Sequence, residues 1–172
     1  YKNEKGQTIF GKCTDIERLG PAVENAFMSS SGAIYNFEIA ARAAAELGVD
    51  ADYAAKLTAA AKALRESLPH DGEMYLPFAG CKEKSFVSIT GLYPYTIFDK
   101  SEKKQVAALY DFMKNISKAG NMYPIGNKTC SWYLGILSSS LANIQDNTGP
   151  ETMLSEAARN AGKFGETWEI NE

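Results

Sequence analysis

The chain has 172 residues, 45% of them hydrophobic and 23% charged, with a net charge of −3. That length suits one domain with a real core, and the composition is ordinary for a soluble globular protein. No Lys/Arg-rich run recommends a nucleic-acid or anionic-membrane partner, and no apolar stretch approaches the roughly 20 residues of a membrane-spanning helix.

Residues 1–12 lack the apolar core of a signal peptide, and they begin abruptly with "YKNEKGQTIF", as a chain does when its start lies upstream. Helical periodicity then dominates. Ile34, Phe37, Ala41, Ala44 and Leu47 share one face of a first helix that Gly48 ends. Asp50 is placed to cap a second helix through Tyr53, Leu57, Ala61, Leu64 and Leu68, which Pro69 stops. The short joint between them predicts an antiparallel helical hairpin. Residues 69–100 read as a long irregular stretch with extended pieces around Met74–Leu76 and Phe86–Ile89. Loops of that length in a compact domain are usually functional or disordered, and this one is too apolar for disorder. A third helix is expected over 101–118, with Val106, Leu109, Tyr110, Met113 and Ile116 on one face. A loop at 120–127 leads to a fourth over 130–146, through Leu134, Leu137, Leu141 and Ile144. The fifth starts at the capping box Thr148-Gly-Pro-Glu151, carries Leu154, Ala157, Ala158 and Ala161, and ends at Gly162. The predicted class is all-α: a single domain over 1–172, made of helical hairpins with long loops gathered at one end.

The titratable residues narrow the chemistry. Cys13, Cys81 and Cys130 are an odd count at wide spacing, compatible with one disulfide or none, and they form no zinc-type cluster. The single histidine, His70, sits in the turn "LPHDGE" and reads as a solvated loop residue. Catalysis by Ser-His, Cys-His or a His-rich metal site is therefore disfavoured, and carboxylates remain. Asn115-Ile-Ser117 and Asn127-Lys-Thr129 are glycosylation sequons, relevant only to a chain made on a eukaryotic secretory route.

The stretch "TDIERLGPAVENAFMSSSGAIYNFEIAARAAAELG", residues 14–48, resembles the acid-bearing segment of glycoside hydrolase family 65, the disaccharide phosphorylases and related glucosidases. In that family Gly-Pro-Asp-Glu-Tyr-His is followed by Val-Asp-Asn-Asn-Ala-Tyr-Thr-Asn and a helix. Asn25-Ala26-Phe27-Met28-Ser29 matches the Asn-Ala-Tyr-Thr-Asn part, and the same ungapped alignment puts Glu17 on the general-acid glutamate. Asp15-Ile16-Glu17-Arg18 departs from Pro-Asp-Glu-Tyr, so the resemblance is to the wider group of six-hairpin toroid glycosidases. At the other end, Glu166-Thr167-Trp168-Glu169 in "FGETWE" resembles the Glu-x-Tyr/Trp-Asp/Asn pattern that bears the base of inverting toroid enzymes. The resemblance implies an (α/α)6 toroid of which this chain is the C-terminal portion. It further implies a carbohydrate substrate and a partner in the remaining N-terminal half, or in a second chain, that grips the glycone sugar. No metal or cofactor is implied.

Inverting glycoside hydrolysis needs one carboxylic acid for the leaving oxygen and one carboxylate to activate water, about 6.5–9.5 Å apart. The resemblance assigns Glu17 as acid and Glu166 as base, with Glu169 in reserve. The acid must keep its proton near neutrality, which calls for an apolar or like-charged setting. Arg18, beside Glu17, opposes that shift if it points inward, so it is expected to point away or to hold a substrate hydroxyl. Trp168, Trp132, Tyr123 and Tyr93 are candidate platforms for sugar faces. For Trp132 and Tyr133 a core position competes with that role. Asp15 reads as a turn or cap residue, and Cys81 as an idle thiol. Family 65 phosphorylases use phosphate in place of water and need no second carboxylate, so a glutamate at 166 favours hydrolysis. A non-catalytic helical module for carbohydrate binding or assembly is the alternative, with a disaccharide phosphorylase or a lyase on uronic-acid polymers behind it.

Overall fold

The computed structural model describes residues 1–16, 19–83, 85–116, 123–125, 128–130, 133–159 and 161–162. The helices are α1 (Phe27–Leu47), α2 (Ala51–Glu66), α3 (Lys103–Ile116), α4 (Tyr133–Asn143) and α5 (Thr148–Arg159), with a 3₁₀ turn at Phe86–Ile89. The only strands among the described residues are β1 (Tyr123–Ile125) and β2 (Lys128–Cys130). The class is thus mostly helical, as the periodicity suggests. Two compact units divide the chain, Tyr1–Glu83 and Lys84–Glu172.

The first unit is the α1/α2 hairpin with the N-terminal segment and the 69–83 loop on it. Gly48 closes α1 in the left-handed conformation at φ 66°, where a Cβ is penalised. Its N–H reaches Ala45 O at 3.3 Å and that of Val49 reaches Ala44 O at 3.0 Å, the paired bonds of a Schellman ending. Asp50 does not cap α2 with its side chain. It is itself left-handed at φ 52°, whereas side-chain capping needs extended backbone at that position. Ala61 and Leu64 of α2, with Leu68 just past its end, form a buried stripe, while Tyr53, expected on that face, is 62% exposed. Leu47, also expected inward, is 74% exposed at the hairpin tip. The buried part of α1 is its first third, where Phe27, Ser30, Ser31, Gly32 and Ile34 lie. Phe27 packs against Tyr75 with ring centroids 5.1 Å apart, a contact between long-separated segments that complete burial strengthens. Arg65 of α2 pairs with Glu38 of α1 across the hairpin surface, a type of contact worth under about 1 kcal/mol.

In the second unit the 89–98 loop, α3, α4 and α5 share a core of Val87, Ile89, Leu92, Leu109, Phe112, Leu134, Leu137, Leu141 and Met153. The stripe expected of α4, Leu134, Leu137, Leu141 and Ile144, is buried throughout. The face of α3 is rotated from expectation. Gln105, Ala108, Leu109 and Phe112 are buried at helical spacing, while Tyr110 is exposed. Gln105 is held inside by its Nε2, which donates to Ser88 O at 2.7 Å, while its buried Oε1 has no partner among the described residues, so part of the cost of burying the amide remains. On α5, Met153 is buried and Leu154, on the expected face, is 60% exposed, so among the described residues the buried face is displaced by one position. Phe86–Ile89 is a 3₁₀ turn, not an extended piece, because Ser85 caps it by accepting from Val87 N–H at 3.4 Å. The expected loop at 120–127 contains β1, whose antiparallel pairing sets Tyr123 opposite Cys130 and Ile125 opposite Lys128. Gly126-Asn127 between two short runs rich in aromatic and β-branched residues is the hairpin signal that the loop assignment overlooked.

Candidate functional site

The segment before α1 is where the sequence places the acid, and its described residues form a tightly bonded loop. Cys13 and Val23 exchange both backbone hydrogen bonds, at 3.1 and 2.9 Å, which closes the chain between them. Leu19 N–H donates to Ile16 O at 3.1 Å. Asp15 then pins this loop to the start of α1. Its Oδ1 accepts from the Ser29 N–H at 2.8 Å and the Ser29 hydroxyl at 2.6 Å, and its Oδ2 accepts from the Met28 N–H at 3.1 Å. Phe27 N–H donates to Pro77 O at 2.8 Å and Ser30 N–H to Ala26 O at 2.9 Å. The N–H groups of Phe27, Met28 and Ser29, three of the four that a helix start leaves unsatisfied, are thereby occupied without any local side-chain cap, and Ser30 makes the first intrahelical bond.

Asn25 is the second anchor. Its backbone is left-handed at φ 53°, a conformation asparagine tolerates. Its Oδ1 accepts from Phe10 N–H at 3.3 Å and the Ser30 hydroxyl at 3.2 Å, and its Nδ2 donates to Ser67 O at 2.6 Å. Ala26 and Phe27 after it are fully buried. The Asn-Ala-Phe part of the matched motif is therefore occupied with building the helix start, and all three residue types have a packing reason. Beside Asn25 lies a groove of about 650 Å³, lined by Tyr1, Lys5, Lys12, Glu24, Asn25 and Ser67 among others. No motif or spacing in residues 1–12 points to this groove.

Of the residues assigned from sequence, Glu17, Arg18, Trp132, Glu166, Trp168 and Glu169 lie outside the described residues. Tyr123 is the first residue of β1. Tyr93 is exposed in the 89–98 loop. His70 is exposed in a turn in which its Nδ1 accepts from Gly72 N–H at 3.1 Å, as expected of a loop histidine. Cys13 and Cys81 are free thiols. Burial pushes the Cys81 thiol upward in pKa, partly opposed by its bond to Glu83 O and reinforced by the Glu83 charge. Among the described residues no group of three His, Cys, Asp or Glu gathers as a metal site, and no helix is long and apolar enough to cross a membrane. No family model, curated protein or solved structure matches this chain.

Proposed function

We propose that this chain is part of an inverting glycoside hydrolase built on helical hairpins of an (α/α)6 toroid and acting on an α-linked gluco-type glycoside. Glu17 is the general acid and Glu166 the general base; Arg18, Tyr123, Trp132, Trp168 and Glu169 contact sugar. The observation that carries the reading is local. The resemblance puts the acid on the loop before the first helix. Here the loop between Cys13 and Val23 is bonded shut and tied by Asp15 to the first turn of a helix running from Phe27 to Leu47. General-acid catalysis, worth about 10²–10⁴-fold, demands a fixed frame for its proton donor, and these bonds of the described residues around position 17 support the reading.

The test is Glu17→Gln in the full-length protein, which removes the proton at constant shape. Hydrolysis of α-linked glucosides is expected to fall by about 10²-fold or more with unchanged thermal unfolding. Near-normal turnover removes the assignment. A helical module without turnover is the second reading. The exposed Leu47, Val49 and Tyr53 around the α1/α2 joint favour it, as an apolar tip suited to assembly. Oligosaccharide binding without hydrolysis, with the N-terminal half of the toroid present, decides for that module.

A further inference from the structure

Asp15 is only 7% exposed. A carboxylate so placed is costly unless strong donors surround it, and here three donors converge on it from Met28 and Ser29. The two backbone donors belong to the first turn of α1, where the helix dipole also favours negative charge. Capping alone does not require this arrangement. A Ser, Asp or Asn at position 26 would satisfy the same amides locally, but position 26 is a fully buried alanine. The acceptor is drawn instead from a loop whose ends are already joined at Cys13 and Val23. The effect is to fix the loop against the helix at a third point. Ser29 reinforces it, since its hydroxyl donates to Asp15 and accepts from the Cys13 thiol at 3.5 Å.

We propose, resting on the glycosidase reading, that Asp15 with Ser29 is the positioning clasp of the general-acid loop, setting the proton donor without touching substrate. Only Ile16 separates Asp15 from Glu17 in sequence, and Leu19 is bonded back to Ile16. The described residues that precede and follow position 17 are thereby held. Loosening the clasp should impair proton delivery to the leaving group selectively, leaving substrate binding and water activation in place.

The experiment compares two substrates of the full-length protein, an α-linked glucose disaccharide and α-glucosyl fluoride. The disaccharide's leaving oxygen needs a proton, whereas fluoride departs without one. Asp15→Asn keeps the shape but turns one acceptor oxygen into a donor. It is expected to lower kcat/KM on the disaccharide about 100-fold, and on the fluoride by no more than about threefold. Ser29→Ala removes one of the three bonds and should show the same selectivity to a smaller degree. The ratio of the two rates is independent of how much protein is folded, so a stability defect cannot imitate the result. Equal losses on both substrates, or no loss on either, overturn the clasp while leaving the glycosidase reading intact. If the unaltered protein hydrolyses neither substrate, the glycosidase reading itself falls and the clasp falls with it.

Discussion

The amide of Asn25 donates to the carbonyl of Ser67 at 2.6 Å, across 42 positions of sequence. This bond ties the residue before the buried start of α1 to the C-terminal end of α2. Ser67 in turn donates its hydroxyl to Thr8 O in the N-terminal segment. Three stretches of chain that are distant in sequence therefore meet at one pair of side chains, and the helical hairpin acquires a fixed base below its free tip.

Asn25→Ala tests that junction. The change leaves Phe10 N–H and Ser67 O, both part-buried, without this partner, a cost toward the lower end of about 1–3 kcal/mol for such a group. It also puts alanine in a left-handed conformation that disfavours a Cβ by about 1–2 kcal/mol. Destabilisation of about 2–4 kcal/mol is expected in urea unfolding. A loss below about 1 kcal/mol would show that the junction is dispensable.

The sequence made the helices legible wherever apolar spacing matched burial. The α4 stripe and the Gly48 ending are the clearest cases, because leucines at helical spacing and a glycine at a left-handed position each have one physical solution. It misled where a polar group is buried. The α3 face was read through Tyr110 because nothing in a hydrophobicity pattern reveals that Gln105 finds Ser88 O. Tyr53 and Leu47 were placed inside because periodicity reports a face without reporting how far along a helix its cover extends. The site was legible only as residue types in order. Asp15 reads in sequence as a turn or cap residue, but the helix whose first turn it binds lies well downstream, and long-range capping leaves no local pattern. Asn25 drew notice through a motif match, while its structural task depends on Ser67 and Phe10, which no spacing rule connects.

Gly91 is a packing requirement. A Cβ there would stand 2.4 Å from Gln105 Oε1 and 2.7 Å from Phe98 Cδ2. Both neighbours are buried, and Gln105 is additionally held by Ser88, so neither can retreat easily. Gly91→Ala is expected to destabilise by about 1–3 kcal/mol, the usual cost of overpacking. Unchanged stability in thermal unfolding would mean the 89–98 loop shifts freely. The double variant with Phe98→Leu should recover part of the loss by giving the new methyl room.

Cys81 is expected to be a slow thiol. Its pKa is raised first by burial, with its bond to Glu83 O opposing and the Glu83 charge adding to the rise. The reactive thiolate is thus scarcer at neutral pH than in an exposed cysteine. Alkylation by iodoacetamide at pH 7 should run several-fold slower than for a small peptide thiol, and should equalise with it in urea. Glu83→Gln removes the negative charge and should quicken the native rate. A native rate at or above that of the peptide would contradict this.

Tyr110 and Asp146 give a pH dependence whose direction can be worked out. The tyrosine hydroxyl donates to Asp146 Oδ2 at 2.6 Å. That bond, followed by desolvation and then the Asp146 charge, raises the tyrosine pKa above its ordinary value of 10.0. The folded chain holds this proton more tightly than the unfolded chain, so between the two values unfolding releases a proton and stability falls as pH rises. The contribution is complete below about pH 10 and is lost as pH climbs through the raised folded value. Tyr110 is 44% exposed, so solvent screening keeps the effect small, under about 1 kcal/mol. Tyr110→Phe should therefore cost that little in urea unfolding at pH 7. The difference between the two proteins should shrink steadily above pH 10, where the unaltered protein loses the bond. Tyrosinate absorbance offers the direct check: Asp146→Asn should bring the titration of Tyr110 down toward the ordinary range. A titration unchanged by that substitution would show that Asp146 is not what holds the proton.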